Sequence, residues 1–250
     1  MKLALQMYTL REFTKTPAAL ATTLRRVRTM GYEAVQLSGL GPIDPGELAS
    51  MLAGEGLVAA ATHVSWQEIQ TQPERIFENH ERWKCHYTAI ASMPSEYRNA
   101  RGYRQFAQEA GVAAQTFLGH GLTLAYHNHS FEFERMGDAV GLDLIFSGSH
   151  PALNAEIDTY WVQHGGADPA AWIAKLRGRV PLVHLKDMTI VDGQPTMAEV
   201  GEGNMNWPRI LEALEEAGTR WYMVEQDVCQ RDPFESAKIS LEHLHAWGLS

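Results

Sequence analysis

The chain has 250 residues, of which 45% are hydrophobic and 20% charged, so it can bury a sizeable core and is not expected to be disordered. Its formal net charge of −9 argues against binding to nucleic acid or to an anionic membrane surface, because both need clustered basic residues. The N-terminus runs directly into a strand pattern, no apolar run could span a bilayer, and two cysteines give no disulfide framework. A cytoplasmic location is therefore expected.

Eight short apolar runs along the chain predict β-strands, and each is followed by a segment with helical spacing of apolar residues. The predicted strands are residues 3–8, 33–37, 58–64, 86–91, 122–127, 152–157, 180–183 and 221–225. The predicted helices are residues 18–30, 45–55, 67–84, 101–118, 140–146, 169–176, 207–216 and 233–247. Thr16-Pro17 marks a helix start, and Gly31, Gly56 and Gly218 mark helix ends.

This repetition of strand and helix predicts an α/β fold. Consecutive βα units give parallel strands joined by right-handed crossovers. Eight units in 250 residues predict a single closed (β/α)8 TIM barrel, one domain covering residues 1–250. An open doubly wound sheet is the alternative, but no Gly-rich dinucleotide-binding loop follows the first strand.

Polar side chains collect at the predicted carboxyl ends of the strands, where active sites of such barrels lie. Asp158, His184 and Glu225 end three successive strands. Two carboxylates and an imidazole suit one divalent ion, and Mn²⁺, Mg²⁺, Co²⁺, Fe²⁺ and Zn²⁺ all fit this ligand type. The other polar residues at strand ends are Gln6, Tyr8, Gln36, His63, Ser92, His127, His129, Lys186 and Asp227.

The order of these residues resembles the xylose-isomerase-like superfamily (the AP endonuclease 2-type TIM barrels), in particular its sugar phosphate isomerase/epimerase branch. Relatives of this kind include hydroxypyruvate isomerase, tagatose 3-epimerase, inosose dehydratase and 3-dehydroshikimate dehydratase. The segments that carry the resemblance cover nearly the whole chain. They are LQMYTLR (5–11), THVS (62–65), YHNH (126–129), FEF (131–133), EIDTYW (156–161), GGADP (165–169), VHLKD (183–187), VGEG (200–203) and VEQD (224–227).

The resemblance implies one divalent ion, with manganese favoured, held by Glu, Asp, His and Glu. Asp158, His184 and Glu225 match the last three ligands. The first glutamate belongs on the fifth strand, where the segment YHNH has no acid. His127 is favoured as its replacement because it lies at the strand end, while His129 and Glu132 remain alternatives.

A metal-dependent sugar or cyclitol isomerase/epimerase is the expected activity, working through proton abstraction next to a carbonyl and an enediolate. In isomerases of the superfamily, the first and last glutamates pass the proton. Here only Glu225 keeps that role, as base, and His127 or Glu132 would return the proton or protonate a leaving hydroxyl. The missing acid favours, as an alternative, a metal-dependent dehydratase/lyase on a keto-sugar or keto-cyclitol. A catalytically silent sugar-binding barrel is the second alternative.

Several other side chains are expected to contact the substrate. Lys186 lies two residues after His184, so it can face the same side and bind a hydroxyl or a developing oxyanion. Its alternative is a solvated pair with Asp187. Glu156 is expected to point inward and to be paired, because a buried lone carboxylate is costly. The remaining candidates for substrate binding are Tyr8, His63, His129 and Trp161.

The expected partner is a small sugar or polyol. The loop at 201–203 resembles an anion cradle, but the charge of Glu202 disfavours phosphate there, and an unphosphorylated polyol or keto-sugar is expected. The superfamily's DNA-cleaving relatives use several metals and basic loops, which the net charge disfavours. A homo-oligomer is compatible with the family, although no apolar stripe in the sequence demonstrates one.

Overall fold

Eight parallel strands close into a barrel in a computed structural model that describes residues 2–249. Each strand pairs with the next one along the chain, and the last pairs with the first. This confirms the predicted (β/α)8 TIM barrel. The strands are β1 (Lys2–Gln6), β2 (Ala34–Leu37), β3 (Val58–Val64), β4 (Tyr87–Ile90), β5 (Thr123–His127), β6 (Asn154–Asp158), β7 (Leu182–Leu185) and β8 (Trp221–Val224).

Helices surround the barrel. Those of the described residues are α1 (Pro17–Met30), α2 (Pro45–Glu55), α3 (Trp66–Thr71), α4 (Pro73–Trp83), α5 (Ala100–Gly119), α6 (Gly141–Gly148), α7 (Thr159–His164), α8 (Pro169–Lys175), α9 (Trp207–Ala217) and α10 (Pro233–Ala246). Short 3-10 helices cover Met7–Phe13, Ser95–Tyr97 and Phe131–Phe133. Within residues 2–249, no helix is both long and apolar enough to cross a membrane.

The predicted helix boundaries hold where capping residues define them. Thr16 accepts the amide of Ala19 at the start of α1, with Pro17 at the first helical position. Gly218 ends α9 with a φ of 75°, a left-handed conformation that glycine adopts without steric cost.

Local differences from the predicted elements have identifiable causes. The predicted helix 67–84 is divided into α3 and α4 because Pro73 has no N–H to continue the first helix. Tyr8 does not belong to the first strand; it lies in the 3-10 helix Met7–Phe13, where its amide donates to the Gln6 side chain. The seventh strand begins at Leu182, so His184 lies inside it.

The sequence patterns missed α7 and two short hairpins. One hairpin pairs Arg135–Met136 with Ala139–Val140, and the other pairs Asp187–Val191 with Gln194–Ala198. Both follow barrel strands and extend the carboxyl-end loops, where the polar residues lie.

A small apolar cluster, separate from the main core between helices and strands, is made mostly of alanine. It comprises Ala4, Ala34, Ala60, Ala61, Ala89, Ala125, Leu182 and Met223. Alternate residues of a strand face the same side, so the residue two positions further along shares the direction of each member. The residues two positions after the cluster members are polar in seven of eight cases: Gln6, Gln36, Thr62, His63, His127, His184 and Glu225.

Candidate metal and substrate site

Four side chains bring metal-capable atoms together at the carboxyl end of the barrel. Ligand atoms of His127, Asp158, His184 and Glu225 all lie within 4.8 Å of one another, and all four residues are buried. We call these four residues the ligand cluster. Asp158 and His184 are register partners in β6 and β7. The strand ends therefore deliver the four side chains to one place.

Two atoms of the ligand cluster lack a hydrogen bond. His184 Nδ1 and Glu225 Oε2 are buried and lie 2.8 Å apart, yet neither makes a hydrogen bond; Glu225 Oε2 also forms an ion pair with Lys186 Nζ at 2.6 Å. Buried polar atoms are normally satisfied. Two metal-capable atoms that face each other without a hydrogen bond fit a shared cation, and an imidazole and carboxylate set suits divalent transition metals. This buried cluster could therefore hold a metal ion.

The ammonium of Lys186 lies against the same carboxylates. Its Nζ is 2.9 Å from Asp158 Oδ2, 2.6 Å from Glu225 Oε2 and 2.9 Å from Asp227 Oδ2, and the side chain is 1% exposed. Burial lowers the pKa of Lys186, but the charges of these carboxylates outweigh it and raise the pKa well above its ordinary value. A permanent cation therefore sits beside the ligand cluster, and Asp187 is not its partner.

Polar side chains form a second layer beneath the ligand cluster. Glu156 is fully buried, and its Oε2 is 2.5 Å from His63 Nε2. Gln36 Nε2 donates to Glu156 Oε1 at 2.6 Å, and Gln36 Oε1 lies 2.6 Å from His184 Nε2. Glu156 is thus inward and paired, as predicted, with His63, His184 and Gln36 as its neighbours.

Glu132 is held away from the ligand cluster. Its Oε1 accepts the Tyr126 hydroxyl at 2.6 Å and its Oε2 accepts the His129 amide at 2.9 Å. Burial raises the pKa of this carboxyl to about 7. The side chain therefore anchors the loop after β5, and the structure gives no support to Glu132 as a metal-adjacent acid.

A cavity of about 380 Å³ lies over the ligand cluster. His129 and Trp161, with ring centroids 5.9 Å apart, offer aromatic faces to it. Burial lowers the pKa of His129 to about 2, so this ring is neutral. The five side chains predicted to bind substrate all line the cavity, together with two residues of the ligand cluster, a serine and Asp227. The polar and aromatic lining is Tyr8, Ser38, His63, His127, His129, Trp161, Lys186, Glu225 and Asp227.

The loop at 201–203 is already occupied by a carboxylate of the chain itself. Asp187 Oδ2 accepts the amides of Gly201 at 2.9 Å and Gly203 at 3.1 Å, and the indole N–H of Trp207 at 2.6 Å. A side chain at Gly203 would collide with this carboxylate. The amides are therefore not free to bind a phosphate, in agreement with the expectation from Glu202.

The chain is similar in sequence and in fold to known proteins. A curated relative, the Rhizopine catabolism protein MocC of Rhizobium meliloti, is 27% identical over 160 residues, which are 52% of this chain and 45% of that protein. The matched segment thus spans less than half of the relative's length.

Solved structures share the fold. A sugar phosphate isomerase/epimerase from Parabacteroides distasonis has a TM-score of 0.81 at 23% identity, covering 98% of this chain and 93% of the other. The probable 3-DHS dehydratase AsbF of Bacillus anthracis has a TM-score of 0.73 at 14% identity, with 98% and 97% covered. The IOLI protein, solved with a bound zinc atom, has a TM-score of 0.71 at 14% identity, with 98% and 97% covered.

The model of the xylose isomerase-like TIM barrel family matches residues 24–247. That range takes in seven of the eight barrel strands and every residue of the ligand cluster. The chain belongs to the xylose isomerase-like TIM barrel family.

Proposed function

We propose that this chain is a divalent-metal-dependent isomerase or epimerase of an uncharged sugar or cyclitol. The observation that carries the proposal is the convergence of four donor atoms within 4.8 Å beside a cavity of about 380 Å³. His127, Asp158, His184 and Glu225 would hold the ion, with manganese favoured. When bound, such an ion polarises a substrate carbonyl and so lowers the barrier to removing the neighbouring proton.

Glu225 is the proposed base. Burial raises its pKa, but the charges of Lys186 and His184 outweigh that effect and hold the pKa below its ordinary value. The carboxylate is therefore ionised at neutral pH and can accept a proton from a substrate carbon. It lines the cavity, as does His127, which we assign to return the proton. Lys186 would stabilise negative charge that develops on the substrate oxygen.

The charge of the cavity favours an uncharged substrate. Lys186 is the cation of its lining, and the three carboxylates around it already neutralise that charge. With the proposed divalent ion bound, the positive charges of the ion and of Lys186 are balanced by the three carboxylates, so no excess positive charge remains to attract a phosphate group. Trp161 and His129 instead offer flat surfaces for the C–H faces of a ring.

One departure from the family's ligands favours the alternative, a dehydratase/lyase on a keto-sugar or keto-cyclitol. The fifth strand supplies an imidazole, His127, where an acid is expected, so a second carboxylate for two-base proton transfer is missing. AsbF is a structural neighbour with a dehydratase name. Loss of water from a keto-substrate, read as a mass change, separates the two reactions. Ligand binding without turnover would favour a silent sugar-binding barrel.

We expect the purified protein to contain about one divalent ion per chain, a stoichiometry that follows from a single mixed O/N site. The double variant Asp158→Ala with His184→Ala should lose it, because two of the four donors are gone. Elemental analysis after gel filtration measures the ion. Asp138→Ala with His150→Ala removes the same side-chain types from exposed positions and should keep the metal. Equal metal in the parent and the ligand-cluster variant contradicts the site.

His127→Ala should weaken metal binding or activity at least as much as Glu132→Ala. The His127 imidazole contacts Asp158 at 3.3 Å, whereas Glu132 bonds to Tyr126 and His129. Removing a residue that only hydrogen-bonds to a metal ligand typically weakens metal affinity roughly 10- to 100-fold. Since His127 is itself a proposed ligand, His127→Ala should weaken Mn²⁺ affinity by at least that factor. Isothermal titration of folded protein with Mn²⁺ measures it. An effect confined to Glu132→Ala would show that the fifth-strand assignment is wrong.

A further inference from the structure

The amide and carboxylate beneath the ligand cluster determine which nitrogen of His184 carries a proton. An ionised carboxylate only accepts hydrogen bonds. The bond of 2.6 Å between Gln36 and Glu156 must therefore use the amide N–H of Gln36 as donor. With the Gln36 amide nitrogen facing Glu156, the Gln36 amide oxygen faces His184.

The oxygen of Gln36 has two neighbours, and both must donate to it. Gln6 Nε2 donates to Gln36 Oε1 at 2.8 Å, and His184 Nε2 lies 2.6 Å from the same oxygen. A carbonyl oxygen accepts and cannot donate. His184 Nε2 must therefore carry a hydrogen, whether the ring is neutral or charged.

The other nitrogen of the ring faces the ligand cluster. His184 Nδ1 is buried without a hydrogen bond and lies 2.8 Å from Glu225 Oε2. Burial lowers the pKa of His184, but the charges of Glu156 and Glu225 outweigh it and raise the pKa well above its ordinary value, so an incoming ion must displace the proton on Nδ1. With the other proton fixed on Nε2, the ring then presents its lone pair on Nδ1, at the place where a metal ligand is needed. Outer partners of this kind orient metal-binding histidines and raise their basicity.

We propose that Gln36 and Glu156 are positioning residues, which keep a proton on His184 Nε2 so that Nδ1 is free to bind the ion. This inference rests on the proposed function, because it assigns the ion to the ligand cluster. Glu156 acts through Gln36, because the Gln36 oxygen is the nearer acceptor for His184. Glu156 Oε2 lies 3.5 Å from His184 Nε2, whereas Gln36 Oε1 lies 2.6 Å from it.

The same geometry argues against a second ion in the lower layer. Ligand atoms of His63, Glu156 and His184 also lie within 4.8 Å of one another. However, His184 Nε2 is engaged by Gln36, and His63 Nε2 lies 2.5 Å from Glu156 Oε2. These atoms are already used, so we expect one ion rather than two.

Two variants test the positioning role. Glu156→Gln keeps the size of the side chain but replaces the acceptor by a group that can also donate, and Gln36→Leu removes the amide. We expect each to weaken Zn²⁺ binding by about 10- to 100-fold in calorimetric titration. The matched control is Glu199→Gln, the same change at a buried carboxylate that binds the Ser236 hydroxyl at 2.6 Å. It should leave the Zn²⁺ affinity unchanged.

A second readout does not require metal. In protein labelled with ¹⁵N-histidine, the His184 ring, assigned by its loss in His184→Ala, should carry a proton on Nε2 with and without Zn²⁺. In metal-free Glu156→Gln, we expect part of the molecules to have no proton on His184 Nε2. The inference is overturned if His184 Nε2 carries no proton in the folded parent. It is also overturned if Glu156→Gln and Gln36→Leu both keep the Zn²⁺ affinity of the parent. A parent that binds no Zn²⁺ refutes the proposed function instead, while the spectrum still decides the protonation of His184.

Discussion

Replacing Lys186 by methionine should destabilise the metal-free protein by about 3–5 kcal/mol, the usual effect of removing one partner from a buried ion pair. The ammonium lies within 2.9 Å of oxygens of Asp158, Glu225 and Asp227, and only 1% of the side chain is exposed. Methionine has a similar length but no charge. The three carboxylates would then lose the ammonium that lies between them, at a place where Asp158 and Glu225 are buried.

A divalent ion should reverse much of this loss. Two of the carboxylates that bind Lys186, Asp158 and Glu225, are also members of the ligand cluster. In the parent the ammonium repels an incoming cation, whereas Lys186→Met removes that repulsion. We therefore expect tighter metal binding in the variant, and a larger rise of its unfolding free energy on adding Mn²⁺, since ligands stabilise the state that binds them.

Urea unfolding in EDTA and in Mn²⁺ measures both effects. Lys175→Met is the control, because that lysine pairs with Asp143 at a half-exposed position and surface pairs contribute about 0–1 kcal/mol. Equal stability of Lys186→Met and the parent in EDTA would show that the ammonium does not neutralise the carboxylates. Equal stabilisation by Mn²⁺ would show that ammonium and ion do not share them.

The sequence predicts the main part of the fold and of the ligand cluster because both follow from strand periodicity. Asp158, His184 and Glu225 lie at or within one residue of the carboxyl ends of neighbouring strands, and closing a barrel brings the carboxyl ends of neighbours together. His127 is predicted by the same rule. The placement of these four side chains needs only the direction of the backbone and the alternation of side chains.

The contacts of the longer side chains depend on rotamers and on partners distant in sequence, which no local pattern contains. Lys186 can reach Asp187 or the barrel mouth from the same backbone position, and it bonds to Asp227, 41 residues away. Gln36 contacts His184 across 148 residues. Glu132 turns back to the amide of His129, which leaves the fifth strand with an imidazole as its contribution to the ligand cluster. The break at Pro73, by contrast, was available from the sequence.

Glu225→Gln should lower proton abstraction from a keto-substrate by about 10²–10⁴-fold, the usual contribution of a general base. Glutamine has the same size and keeps an oxygen for the ion, but it cannot accept a proton from carbon. Glu225 is 5% exposed and lines the cavity, so water cannot readily take its place. Uptake of solvent deuterium, measured by mass across a panel of keto-sugars and keto-cyclitols with Mn²⁺, reports this step whatever the final product.

Asp227→Asn is the matched control. Asp227 lines the same cavity and binds Lys186 at 2.9 Å, as Glu225 does at 2.6 Å, but it is outside the ligand cluster. A loss of exchange that is much larger for Glu225→Gln than for Asp227→Asn, at equal Mn²⁺ content, would identify the base. If Glu225→Gln exchanges deuterium as fast as the parent, proton abstraction belongs to another group. His127 is then the remaining titratable member of the ligand cluster that lines the cavity. In that case His127→Ala should abolish the deuterium exchange that Glu225→Gln leaves intact.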